Sequence, residues 1–267
     1  MNCKKLLLVI SFLIVILSIS AHEFWLEPEK FIYNRTETLN IRFLVGENFE
    51  GINWKGNNDR ISSLRLYYGG VSDDLSDYIS SAEGDSLAIT MIDEGTCMIA
   101  FNSNNSFIEL NAEKFNEYLK EDGLPDILEF RKNNNELDST GYEYYQRCAK
   151  TLIQVGPVMD RTYSVSTQLP VDIIALSNPY NIKEPDSLTV RIYFQKKPFV
   201  NASVNIWHRV NGFTEKAEYI SDEKGDITFA VFPNGKWMVS TVKMERLEDD
   251  PKANWQSFWG SLTWGYE

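Results

Sequence analysis

Imidazole is the side chain best suited to holding a transition metal near neutral pH, and this chain has two, His22 and His208. His22 stands in SISAHEFWLEP, just after an apolar leader. A cut after Ala21 would make His22 the first residue, so that its amine and ring nitrogen close one chelate ring. His208 would then complete a three-nitrogen set suited to copper. A cut after Ser20 would leave Ala21 first, and the amine, the His22 amide and the His22 ring would form a chelate favouring nickel or copper. Glu23 and Glu27 are available as oxygen donors. The plain alternatives are an exposed terminus for His22 and a structural role for His208, which shares a strand face with Val204 and Ile206.

Other chemistry is poorly represented. The chain has no GxSxG, no HExxH, no phosphate-binding loop and no CxxC. A hydrolase or transferase is not indicated, and the expectation is a non-catalytic protein. Two cysteines follow the leader, Cys97 and Cys148, a possible disulfide in an oxidising compartment. The tail NWQSFWGSLTWGY carries Trp255, Trp259 and Trp264. Exposed, they would form an aromatic surface for stacking on sugars; buried, they would close a core.

The leader itself has Lys4 and Lys5, then the apolar run Leu6 to Ile19, then small residues, the order of a secretory signal. The run falls short of the roughly 20 residues a membrane helix needs. A periplasmic or otherwise exported protein cleaved near Ala21 is therefore expected, with no integral membrane segment afterwards. Cleavage removes Lys4 and Lys5 and leaves 24 basic against 38 acidic side chains, a net of −14. Such a charge argues against nucleic acid or an anionic membrane as partner.

The elements that must position these residues are mostly strands. TLNIRFLVG alternates Leu39, Ile41, Phe43 and Val45 on one face, and SLRLYYGG ends on a turn-forming glycine pair. Residues 22–110 read as an N-terminal β domain. A helical insertion is expected over 111–155: Asn111 is an N-cap, Gly123 a stop, and Pro125 starts a second helix. A third helix is read in STGYEYYQRCAKTLIQVG from the spacing of Tyr142, Tyr145, Ala149 and Leu152. Residues 156–267 return to strands with turns at Asp222–Gly225 and Asn234–Gly235, a C-terminal β-sandwich that includes the tail. The fold class expected is mainly β, immunoglobulin- or transthyretin-like sandwich domains with an α-helical insertion.

Taken together, AHEFWLEP, FLVGENFEG, EYYQRCAKTLIQVG, VDIIALSNPY, TVRIYFQKKPFVNASVNIWH, SDEKGDITFAVFPNGKWMVSTVKM and the tail resemble a known family in order and spacing. It is an uncharacterised exported bacterial domain-of-unknown-function family associated with the periplasmic component of cobalt/nickel uptake, of the nickel-uptake-transporter accessory type. The resemblance implies a β-rich envelope protein that handles nickel or cobalt, with copper as a further option. Its partner would be an envelope metal transporter or a TonB-dependent receptor. It also implies a mature chain starting at the histidine corresponding to His22. Where the family often has a histidine before Met244, this chain has Lys243, a poor ligand, so His208 either substitutes or the site is lost. Two alternatives stand beside the metal-binding accessory: a carbohydrate-binding or adhesion-like module, and a copper oxidase using a histidine brace.

Overall fold

The computed structural model describes residues 23–84 and 86–267; His22 and the leader lie outside them. In chain order the strands are β1 (Glu23–Pro28), β2 (Ile32–Tyr33), β3 (Thr38–Glu47), β4 (Glu50–Asn53), β5 (Ile61–Tyr68), β6 (Val71–Asp74), β7 (Leu87–Thr90), β8 (Gly95–Ser103) and β9 (Ser106–Leu110). Two helices follow, α1 (Ala112–Glu121) and α2 (Pro125–Asn133). The chain then returns to β10 (Gly141–Val155), β11 (Val171–Ala175), β12 (Asp186–Phe194), β13 (Lys197–Pro198), β14 (Ser203–Val210), β15 (Phe213–Ile220), β16 (Asp226–Val231), β17 (Lys236–Arg246) and β18 (Trp255–Gly265).

A ten-stranded sheet in the order β15-β14-β17-β18-β10-β8-β5-β6 forms the middle layer, with β2 and β9 also paired to β10. One face of it is covered by the sheet of β1, β3, β4 and β7, the other by the sheet of β11, β12, β13 and β16. Strand alternation sends successive side chains into the two cores. Along β8 and β10, Cys97, Ile99, Phe101, Ala149 and Ile153 enter the first core, while Met98, Ala100, Cys148 and Leu152 enter the second. The architecture is mainly β, two sandwiches built on one shared sheet, with a helical insertion.

The helical insertion is shorter than expected. Asn111 caps α1, its side chain accepting from the Lys114 amide at 3.0 Å, and Pro125 opens α2 as read. The expected third helix is instead β10, the spine of the shared sheet. It pairs antiparallel with β9 and β8 on one edge and parallel with β18 on the other. Both its faces are covered along most of its length, so it lacks the period-two signal of a half-buried strand. Three tyrosines together with Thr151, Ile153 and Val155 favour the extended state there.

The expected disulfide is also corrected. Cys97 and Cys148 are free, buried thiols on opposite faces of one sheet, where no bond between them can close. The tail is β18, wedged between β17 and β10. Trp264 is 0% exposed and Trp255 1%, so these rings are core and not a surface. Trp259 is half-buried and stacks on Tyr118 of α1, ring centroids 6.0 Å apart.

Strand β1 is an edge of its own sheet that lies over β18. The hydroxyls of Ser261 and Thr263 donate to the Phe24 and Leu26 carbonyls at 2.7 and 2.8 Å. Phe24 and Leu26 enter the N-terminal core, whereas Trp25 packs with Leu44, Phe49, Trp207 and Met238. The β3–β4 turn places Asn48 and Phe49 in the left-handed region, φ 53° and 57°. That conformation is unfavourable for phenylalanine, and burial of the ring against Trp25 offsets it.

Candidate functional site

Where β1 begins, the chain enters a cleft between the end of α1 and the β14–β17–β18 face of the shared sheet. Glu23 and Asp122 line it, with Ser203, Asn205, Ser240 and Trp259 among the walls. About 10 Å³ is open to the centre of a water-sized guest, room for one water or one monatomic ion.

Helix termination puts Asp122 there. It is the C-cap residue of α1, its amide bonding Tyr118 O at 3.0 Å. Gly123 follows at φ 69°, and the Leu124 amide closes back on Leu119 O at 2.9 Å, the six-to-one bond of a Schellman turn. A Cβ on Gly123 would meet Ser203 Oγ at 2.4 Å. The helix end is thus pressed onto β14, and only glycine fits both the space and the angle.

The electrostatics of this pair are unfavourable as it stands. Burial, with Glu23 and Glu121 nearby, pushes the Asp122 carboxyl up to about 8. Burial likewise raises Glu23 to about 7, against its own amide and Lys216, with Glu47 adding to the rise. Asp122 also sits at the negative end of a helix dipole, where a cation is preferred. Its Oδ2 is buried and has no hydrogen-bond partner among the described residues. A cation in the cleft would relieve all of these at once.

Beneath the cleft lies a third buried acid. Glu143 of β10 accepts from Tyr118 Oη at 3.1 Å and from Ser257 Oγ, and Ser257 Oγ in turn accepts from Trp259 Nε1 at 3.0 Å. Burial raises this carboxyl to about 7 despite both donors. Its bonds are made within the fold, so it serves as a support for α1 and Trp259.

The other expected ligands are placed elsewhere. His208 lies on the opposite face of β14 from Ser203 and Asn205, an odd number of residues away. Its ring is stacked on Trp237, centroids 3.8 Å apart at 11°, and its Nε2 is 3.2 Å from Asn234 O. The structure does not bring His208 to Glu23, and it gives the imidazole a packing role against Trp237. Lys243 also faces away, its Nζ 5.5 Å from the Phe199 ring. Glu27 is taken by Lys236, with 2.7 Å to each oxygen, and by Trp25 Nε1 at 2.8 Å. His22 precedes Glu23 in sequence and lies outside the described residues. Among those residues no trio of His, Cys, Asp or Glu converges as a metal cage.

Asp122 was the residue that sequence reasoning missed. The available signal was an acid directly before the stop glycine, where helices favour lysine or arginine.

A family model matches residues 19–245, which includes β1, α1 and the β14 and β17 walls of the cleft but not β18. The chain belongs to DUF4198, a domain of unknown function. No curated protein matches the chain. Among solved structures it is similar to the FN1–FN3 domains of chicken CNTN1, at 10% identity and a TM-score of 0.21, covering 89% of this chain and 66% of that one. It is also similar to dimeric latent PorU from Porphyromonas gingivalis, at 12% identity and a TM-score of 0.19, covering 87% of this chain and 20% of that one. The DUF4198 chain thus spans less than two thirds of either. Among its described residues no helix is long and apolar enough to cross a membrane.

Proposed function

We propose that this protein is an exported, non-catalytic accessory of nickel or cobalt uptake that holds a transition metal where its processed N-terminus enters the cleft. The amine and imidazole of His22 would supply nitrogen, and Glu23 and Asp122 carboxylate oxygen. Nitrogen ligands suit nickel, cobalt and copper, and the adjacent carboxylates add charge compensation.

The observation that carries this reading is the buried, unpartnered Oδ2 of Asp122 beside Glu23, in a space the size of one ion. Two carboxyls raised chiefly by burial, that of Asp122 also by Glu23 beside it, are stabilised when a cation arrives. The position is one residue from His22, so that leader cleavage would create the nitrogen donors next to the oxygen donors. An envelope transporter or TonB-dependent receptor is the partner class that fits an exported metal carrier. The carbohydrate alternative loses its support, because Trp255 and Trp264 are core residues.

The test is calorimetric titration of nickel, cobalt and copper into the protein processed to start at His22. Binding at about micromolar Kd or tighter is expected. It should be lost in His22→Ala and weakened at least tenfold in Asp122→Asn. Absence of binding for all three ions in the authentic form would overturn the reading.

A further inference from the structure

A second concavity opens on the side of β11 and β12 turned away from the sandwich core. It has a volume of about 510 Å³, within the range of small-molecule sites. Its floor is Asp172, 3% exposed and fully engaged. Lys150 Nζ lies 2.6 Å from Oδ1, while Ser166 Oγ and the Thr167 amide donate to Oδ2 at 3.1 and 2.7 Å. The floor is therefore neutral overall and held rigidly.

The rim has the opposite character from the molecule as a whole. In a chain of net charge −12, Arg161 and Lys196 both line this cavity, and neither forms an ion pair with a carboxylate among the described residues. Lys196 is moreover held there against its backbone preference. It and Gln195 form the tight turn between β12 and β13 with φ 65° and 47°, a conformation for which Asn-Gly is the favoured pair. Left-handed backbone at side-chain-bearing residues is unfavourable and concentrates at binding sites. A glycine would relax the turn and remove the charge from the rim.

We propose that this cavity binds a small organic anion, its carboxylate or phosphate paired with Arg161 and Lys196 and its body resting on Tyr193 and Ile174. The site is independent of the metal cleft. Arginine supplies the forked donors that match either oxyanion, and lysine adds a point charge. The neutral floor leaves these two cations as the dominant field in the cavity.

The experiment is calorimetric titration of the leader-free protein with citrate, glucose 6-phosphate and glucose at one fixed ionic strength. At least one of the two anions should bind with a Kd of about 1 mM or below, and glucose should not. Which anion binds separates a carboxylate from a phosphate ligand. Arg161→Ala/Lys196→Ala should lower the affinity at least about tenfold without lowering Tm, since both side chains are exposed. Lys196→Gly should raise Tm while weakening the same binding, a combination that a purely structural turn would not produce. Failure of both anions to bind, or binding undiminished in the double variant or in Lys196→Gly, would sink the proposal.

Discussion

Lys150 Nζ and Asp172 Oδ1 lie 2.6 Å apart, with side chains 1% and 4% exposed, and join the shared sheet to the edge strand β11. Burying two charges is unfavourable unless each satisfies the other, so the pair is far more sensitive to losing one member than to losing both charges. Lys150→Met should destabilise the protein by about 3–5 kcal/mol. Lys150→Met/Asp172→Asn keeps an acceptor for the Thr167 amide and should lose clearly less. Urea unfolding at unchanged m measures both. A double variant no better than the single one would show that the pair acts through packing alone.

The three buried carboxyls make a prediction about pH. Folding raises Glu23 to about 7, Asp122 to about 8 and Glu143 to about 7, all above the unfolded range near 4. The folded chain therefore holds protons that the unfolded chain has released, and stability falls as pH rises from about 4.5 to 8. Glu37, lowered to about 2 by Lys30 and Asn34, acts in the opposite sense but only below that window. The Tm of the metal-free protein should drop between pH 5 and pH 8, and Glu143→Gln should flatten the slope. A Tm that is level or rising across that interval would contradict the burial of these groups.

The cysteines should be chemically silent. Burial pushes both thiols up to about 12, and the sheet separates them. A thiol reagent such as DTNB should leave the native, leader-free protein untouched and titrate two thiols only after denaturation. A reductant should not move Tm. An intact mass lower by two hydrogens would mean a bond this arrangement forbids.

The aromatic tail should behave as core. Trp264 is 0% exposed and stacks parallel to Trp237, centroids 6.1 Å apart. Trp264→Ala should cost about 3–5 kcal/mol. Trp264→Phe should cost much less, because among the described residues the indole Nε1 has no hydrogen-bond partner to lose. Unfolding curves for the two variants settle this, and equal losses would assign the indole nitrogen a role the packing does not show.

Much of the fold was legible where one face of an element meets solvent. Leu39, Ile41 and Phe43 alternate into the core as read, and the caps of α1 and α2 carry local signals that need no tertiary context. β10 was misread because tertiary burial on both faces erases periodicity, and Tyr142, Tyr145, Ala149 and Leu152 happen to fall at helical spacing. Half of the cleft was legible: Glu23 was visible beside the leader, whereas Asp122 comes from a helix end about a hundred residues away. His208 looked like a ligand because a lone histidine on a strand gives no sign of the Trp237 ring beneath it.

The course of β10 has a consequence for the molecule as a unit. From Cys148 to Val155 its odd-numbered side chains face one sandwich and its even-numbered ones the other, so the two halves share a single party wall. Neither half can be cut free with its own wall intact, and heat or denaturant cannot collapse one room while the other stands. The chain should melt in one transition, be lost to proteases all at once, and pass between genomes as a whole.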